Sequence, residues 1–356
     1  MPYTALNKPD LPDGRLLTSM KDLRFKHLKS NAGIFLYKKK GTTTIIAIVY
    51  VDDALFCGPD IKTVKEIKAA FMKCWECRDL GPTKEFLHMN IRQEGSKIMI
   101  DQCAYLEKIL QRFNLINAQI APTPLSQGYH PMAHEGVIDP KIRSLFQQVI
   151  GSLLYLMLGT RPDIAYAVIA LSKHATKPSK EHLNHTLYIC CYLLGTCYYS
   201  LVFDGSTKAG LIAYTDSDWA SDPNTRRSQT GWFIKLAGCI FSWQSHQQSR
   251  VAYSFTEAEY IALSDCSKQV VWIHTIMEEL GYFLEPIPIC GDNQGSIFMA
   301  DNPVMESRSK HINLRWHGIC DYIKEGLIKI FYIEETKNPA DMFTKNLGQE
   351  ALNNCR

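Results

Sequence analysis

Tyr214-Thr-Asp-Ser-Asp-Trp219 follows the apolar run 211–214, and Ser254-Phe-Thr-Glu-Ala-Glu-Tyr260 opens a long periodic segment that ends at Gly281. The first stretch reads as a strand that delivers acids at its end. The second reads as the start of an amphipathic helix, because Ala258, Ile261, Ala262, Val270, Ile273, Ile276, Met277 and Leu280 form one stripe at helical spacing. Outward from these, strands are expected at 231–236, 239–243, 287–290 and 327–333, with helices at 295–300 and 312–324 and a short one at the end. Strands and helices in that alternation predict a mixed-sheet domain over 206–350.

Three further acids stand at structurally marked positions. Cys290-Gly-Asp-Asn-Gln294 places Asp292 just past a strand end, where alternating α/β architectures put their sites. Asn338-Pro-Ala-Asp341 reads as an N-cap, a Pro at the first helical position and an acid in the first turn. Thr256 with Glu259 fits a capping box, which occupies Glu259 with the N-cap amide and leaves Glu257 at the positive end of the helix dipole, able to face a cation. Singly, each acid also reads as a cap or a solvated turn. Asp218, on the same strand face as Asp216, is its closest rival.

In the first third, runs 34–37, 45–51 and 54–57 read as strands, and Asp52-Asp53 sits at the tip of a tight hairpin between the last two. Adjacent carboxylates there suit either a cation or ordinary turn chemistry. A helix at 61–72, a strand at 98–100 and a helix at 105–113 precede Ala121-Pro-Thr-Pro124, which with Gly128, Pro131, Gly136 and Pro140 is the best linker candidate. Helices at 144–158, 163–174 and 181–194 follow, so the expected divisions are 1–125, 126–205 and 206–350.

Composition narrows the classes. A chain of 356 residues with 46% hydrophobic and 21% charged residues is globular, with two or three units. A net charge of +3 offers no global field for nucleic acid, so such contacts must be local. The local candidate is Arg308, Lys310, His311, Arg315, His317 and Lys324, read either as a solvated charged face or as a phosphate-holding helix on which His311 and Arg315 share a face. The N-terminal stretch has no apolar leader, and 149–158 falls short of the ~18 residues of a span, so no membrane and an intracellular location are expected. Twelve scattered cysteines, two of them adjacent at Cys190-Cys191, read as thiols. Cys74-Trp-Glu-Cys77 lacks the second pair that structural zinc requires. Trp219, Trp232 and Trp243 are expected in the core.

Tyr50-Val-Asp-Asp53 between two apolar strands resembles the palm motif of reverse transcriptases. Asp79-Leu-Gly81, Thr160-Arg-Pro-Asp-Ile-Ala-Tyr-Ala-Val168 and the strings 214–222, 254–263 and 340–345 extend the resemblance to copia-type retrotransposon polyproteins, across residues 24–348. The resemblance implies a mixed α+β and α/β chain: a truncated reverse transcriptase palm with a helical connection, then a ribonuclease H-like mixed five-stranded sheet with flanking helices. It also implies a four-carboxylate centre of Asp216, Glu257, Asp292 and Asp341 that holds two Mg2+ ions, or Mn2+, with Asp216 bridging. Asp52 and Asp53 would be metal ligands of the palm, Arg308, Lys310, His311 and Arg315 would contact nucleic acid, and the RNA strand of an RNA/DNA hybrid would be the substrate. Cytoplasmic particles or the nucleus would be the place of action.

The departures bear on polymerase activity. No strand leads into Asp10, Asp13 or Asp22, so the third palm carboxylate is missing and no polymerase activity is expected. Phe86-Leu87-His88 stands where the family has Phe-Leu-Gly, which puts an imidazole at a point of close approach. Tyr188-Ile-Cys-Cys-Tyr-Leu-Leu-Gly195 lacks the family's basic residues. The alternatives are an inactive remnant that only binds nucleic acid, and an interaction module, which would gain nothing from keeping four repelling acids.

Overall fold

A computed structural model describes residues 2–6, 14–38, 44–302 and 318–356. Apolar alternation organises the first sheet: Phe35, Ile45, Ala47, Ala54 and Phe56 enter one core with Leu16, Met20, Val64, Ile67 and Phe71 from the helices Gly14–Asp22 and Ile61–Cys74. Six strands run in the order Lys26–His27, Ile34–Lys38, Thr44–Tyr50, Asp53–Cys57, Pro2–Leu6 and Cys77–Pro82, and each pairing is antiparallel. Pro2–Leu6 and Cys77–Pro82 were not expected as strands, since Pro, Gly, Asp and Arg hide any period of two. Tyr50 pairs with Asp53 across the hairpin, and Val51 bends it at a φ of 50°, a strained value for a β-branched residue.

Two family-like strings have local physical accounts. Asp79 accepts from Lys68 Nζ and from the amide of Gly81, whose φ of 77° the glycine permits. Leu87 and His88, at φ 51° and 57°, form the two-residue turn between Glu85–Phe86 and Met89–Glu94. His88 thus takes a left-handed position that a glycine would adopt without strain.

Met1–Arg92 with Trp272–Leu284 forms one compact unit, and Gln93–Val271 with Glu285–Arg356 forms the other. This differs from the expected divisions at 125 and 205. The reason is a shared core: the helices Cys103–Arg112, Pro140–Gly159, Ala165–Ser172 and Lys180–Gly195 bury Leu106, Phe146, Leu153, Leu171 and Leu193 together with Phe233, Ile240, Met342 and Phe343. Among the described residues Pro140–Gly159 is long and apolar enough to cross a membrane, contrary to the reading of its apolar run as too short. In this fold its Phe146, Val149, Ile150, Leu153 and Leu156 are core. Beside it Arg161 donates to both oxygens of Asp163 at 2.9 and 2.7 Å, and Tyr192 Oη donates to Asp163 at 2.7 Å. Packing between helices therefore accounts for much of the string 160–168. None of the twelve cysteines forms a disulfide.

The second unit's sheet has five strands in the order Cys239–Gln247, Gln229–Leu236, Ile212–Asp218, Ile287–Gly291, Ile328–Tyr332. The first two pairings are antiparallel and the last two parallel. Ile212–Asp218 is therefore central. Leu201–Asp204, unforeseen in the sequence, pairs with Lys97–Asp101, the expected strand near 98–100.

Candidate active site

The central strand carries Asp216 into the interior, where the carboxylate is 1% exposed. Its strand neighbour in register is Gly231, and a Cβ there would come within 2.6 Å of Phe343 Cβ and 2.7 Å of Thr344 Cγ2. Only a bare backbone lets the segment 339–344 lie on the sheet at that point. Thr344 Oγ1 then donates to Asp216 Oδ2. The expected cap at Asn338 forms: its Oδ1 accepts from the Ala340 amide at 3.1 Å and opens the short helix Pro339–Phe343. Its Nδ2 donates to Thr215 O at 2.9 Å and to Asp292 Oδ2 at 3.4 Å, so one amide side chain joins the strand, the cap and a second acid.

Asp216, Asp292 and Asp341 each bring one carboxylate oxygen within 4.8 Å of the others. Lys345, one helical turn past Asp341, donates to Asp341 Oδ1 at 3.0 Å and lies 3.6 Å from Asp216 Oδ2. Asp292 Oδ1 is buried with no hydrogen-bond partner among the described residues. Burial pushes the Asp216 carboxyl up to about 6; Lys345 opposes this and Asp341 adds to it. Burial likewise raises Asp292 and Asp341.

Of the two glutamates at the start of the long helix, Glu259 is the one whose carboxyl lies close enough to Asp216 and Asp292 to feel their charge. The long helix Phe255–Leu280 starts one residue before the expected cap, and Ser254 Oγ accepts from the Glu257 amide at 3.1 Å. Glu257 Oε2 turns back to the Tyr253 amide at 2.8 Å, which is the capping work the sequence reading gave to Glu259. Glu259 instead accepts from the Ser217 amide and hydroxyl, both at 3.0 Å. Burial drives its carboxyl well above the usual range, with the charges of Asp216 and Asp292 adding to the shift. Burial also raises Asp218, which remains partly accessible beside the centre.

Residues 10–127 match the reverse transcriptase (RNA-dependent DNA polymerase) family. The Pol polyprotein from transposon TNT 1-94 of Nicotiana tabacum is 34% identical over 345 residues, 95% of this chain. The chain belongs to the copia-type retrotransposon polyproteins. A second copia-type relative, the Pol polyprotein from transposon RE2 of Arabidopsis thaliana, is 30% identical over 95% of the chain. The chain spans 26% and 23% of these two relatives' lengths. Among solved structures, LC11-RNase H1 in complex with RNA/DNA hybrid is 18% identical, covering 40% of this chain and 99% of its own, at a TM-score of 0.30.

Other residues singled out in this copia-type chain fall elsewhere. Asp52 is exposed and Asp53 partly buried at the hairpin tip, as expected of the turn. Among the described residues the acids gathered at metal-ligating spacing are Asp216, Asp292 and Asp341. Arg308, Lys310, His311 and Arg315, with Asp10 and Asp13, lie outside the described residues. Trp232 is buried and Trp243 partly so, but Trp219, expected in the core, is 45% exposed and donates its Nε1 to Ala252 O at 3.0 Å. The reading from sequence missed Asn338's second contact, Thr344 and Lys345. The spacing of four between Asp341 and Lys345 was the available signal for the last.

Proposed function

We propose that Asp216, Glu259, Asp292 and Asp341 hold divalent magnesium and that the chain cuts the RNA strand of RNA/DNA hybrids as a ribonuclease H-type endonuclease. The observation that carries this is the convergence of buried Asp216 with half-buried Asp292 and Asp341 from three separate stretches of chain, beside buried Glu259, with one Asp292 oxygen left without a partner among the described residues. Such a group destabilises the fold unless a cation is bound. The donors are all hard oxygens, which suit Mg2+ or Mn2+ and not zinc. Bound there, such ions would generate hydroxide and stabilise the leaving 3′ oxygen. The chain's own part is orientation. Ser217 holds Glu259, Asn338 holds Asp292, and Thr344 holds Asp216. Lys345 offsets part of the negative charge.

Family membership supports an RNA/DNA hybrid as substrate and an intracellular place of action, in cytoplasmic particles or the nucleus. Nucleotidyl transfer is no part of this proposal; among the described residues no third acid gathers with Asp52 and Asp53. The test is a cleavage assay on a labelled hybrid. The RNA strand should be cut with Mg2+ or Mn2+, should survive with EDTA, and should resist when it is single-stranded. Hybrid binding without cutting at any metal concentration would replace this reading with that of a binding remnant.

A further inference from the structure

The turn at Ala237 and Gly238, between the strands Gln229–Leu236 and Cys239–Gln247, lies at the end of the five-stranded sheet away from the acids. Ile212 pairs with Lys235, four residues back along the central strand from Asp216, or roughly 13 Å. At that end is a cavity of about 710 Å³ whose walls include Arg161, Asp163, Tyr198, Tyr199, Lys235 and Arg356. The size falls in the range of small-molecule sites.

The wall has two chemistries. Arg161 and Asp163 satisfy one another, so they contribute little net charge. Among the described residues neither Lys235 nor the Arg356 guanidinium forms a salt bridge with a side-chain carboxylate, and Arg356 reaches Asp163 only through Tyr192. Lys235 Nζ sits 5.5 Å above the Phe233 ring, and Arg356 lies 5.0 Å over Tyr199 while donating to Tyr192 Oη at 2.8 Å. Two cations held over aromatic faces reject a hydrocarbon ligand and favour an anion. A bare anion, however, would leave most of the volume empty and would add nothing to the Tyr198 ring, which meets Tyr199 edge to face at 5.2 Å and is still 69% exposed. A flat ring joined to an anionic group satisfies both.

We infer that this cavity binds a nucleoside phosphate, with the base stacked on Tyr198 and the phosphate between Lys235 and Arg356. The same moiety occurs in a free mononucleotide and in a nucleic-acid strand. The test is calorimetric titration of the full chain, in EDTA so that metal-mediated binding is removed, with adenosine 5′-monophosphate, inorganic phosphate and a short 5′-phosphorylated DNA strand. The mononucleotide should bind saturably and at least about tenfold more tightly than phosphate, given the worth of one base–aromatic stack. Lys235→Gln and Tyr198→Ala should each weaken it at least about fivefold, and Tyr198→Phe should keep it. A strand that binds no better than the mononucleotide identifies a free-nucleotide site, and a strand that binds more tightly identifies a strand contact. The inference is overturned if no probe binds saturably at millimolar concentration, if phosphate matches the nucleotide, or if neither Lys235→Gln nor Tyr198→Ala changes the affinity.

Discussion

Asp216→Asn is expected to lower hybrid cleavage by at least about a thousandfold and, at the same time, to stabilise the metal-free protein at neutral pH. The two effects have one origin. Asp216 lies deepest in the centre, and its carboxyl titrates near 6 in the fold against 3.8 in the open chain, chiefly because of burial. A carboxyl raised in this way favours the fold below the unfolded value and loses that contribution as pH climbs through the folded one. The metal-free protein should therefore lose stability between about pH 4 and pH 6, by on the order of 2–3 kcal/mol from this group. Asparagine has no charge to bury and should flatten that part of the profile. Thermal melts of both forms in EDTA across this window read the stability effect, and the cleavage assay reads the catalytic one. Equal pH profiles for the two proteins would show that the Asp216 charge is not held out of water.

The second large effect separates two glutamates of one helical turn. Glu259→Gln should reduce cleavage by on the order of a hundredfold or more, since a neutral amide cannot serve as a charged ligand to a hard cation. Glu257→Gln should stay within a few-fold of the parent, because the amide oxygen can still accept from Tyr253 and the helix keeps its Ser254 cap. Parallel rate measurements on the two variants decide between them. The reverse ranking would restore Glu257 to the centre and remove Glu259.

The sequence alone does not separate this pair, for a simple physical reason. Ser254 with Glu257 and Thr256 with Glu259 both satisfy the spacing of a capping box, and nothing local prefers either register. The choice is made by Ser217, forty-two residues before Glu259 in the chain, whose amide and hydroxyl need an acceptor inside the fold. Asp216, Asp292 and Asp341 were legible because they stand beside an apolar strand run, just past a strand end and in a Pro-led cap respectively, features written in a few consecutive residues. The central strands were legible from apolar runs for the same reason.

The elements that escaped notice depend on distant partners. Leu201–Asp204 owes its strand character to pairing with Lys97–Asp101, and Pro2–Leu6 to neighbours on both sides. The common core of the helices and the five-stranded sheet is likewise a tertiary fact. Its Pro-rich approach at 121–140 looks like a linker, yet Ala121 and Leu125 are buried in that core. Asn338 shows both cases in one residue: the capping oxygen could be foreseen, but the amide nitrogen's reach to Asp292 could not.

Titration of the full chain with Mn2+, followed by electron paramagnetic resonance of the unbound ion, examines the carboxylate centre without requiring turnover. Saturable uptake at up to millimolar Mn2+, lost in Asp292→Asn, is the predicted result. No saturable uptake, or uptake that Asp292→Asn leaves unchanged, would contradict it.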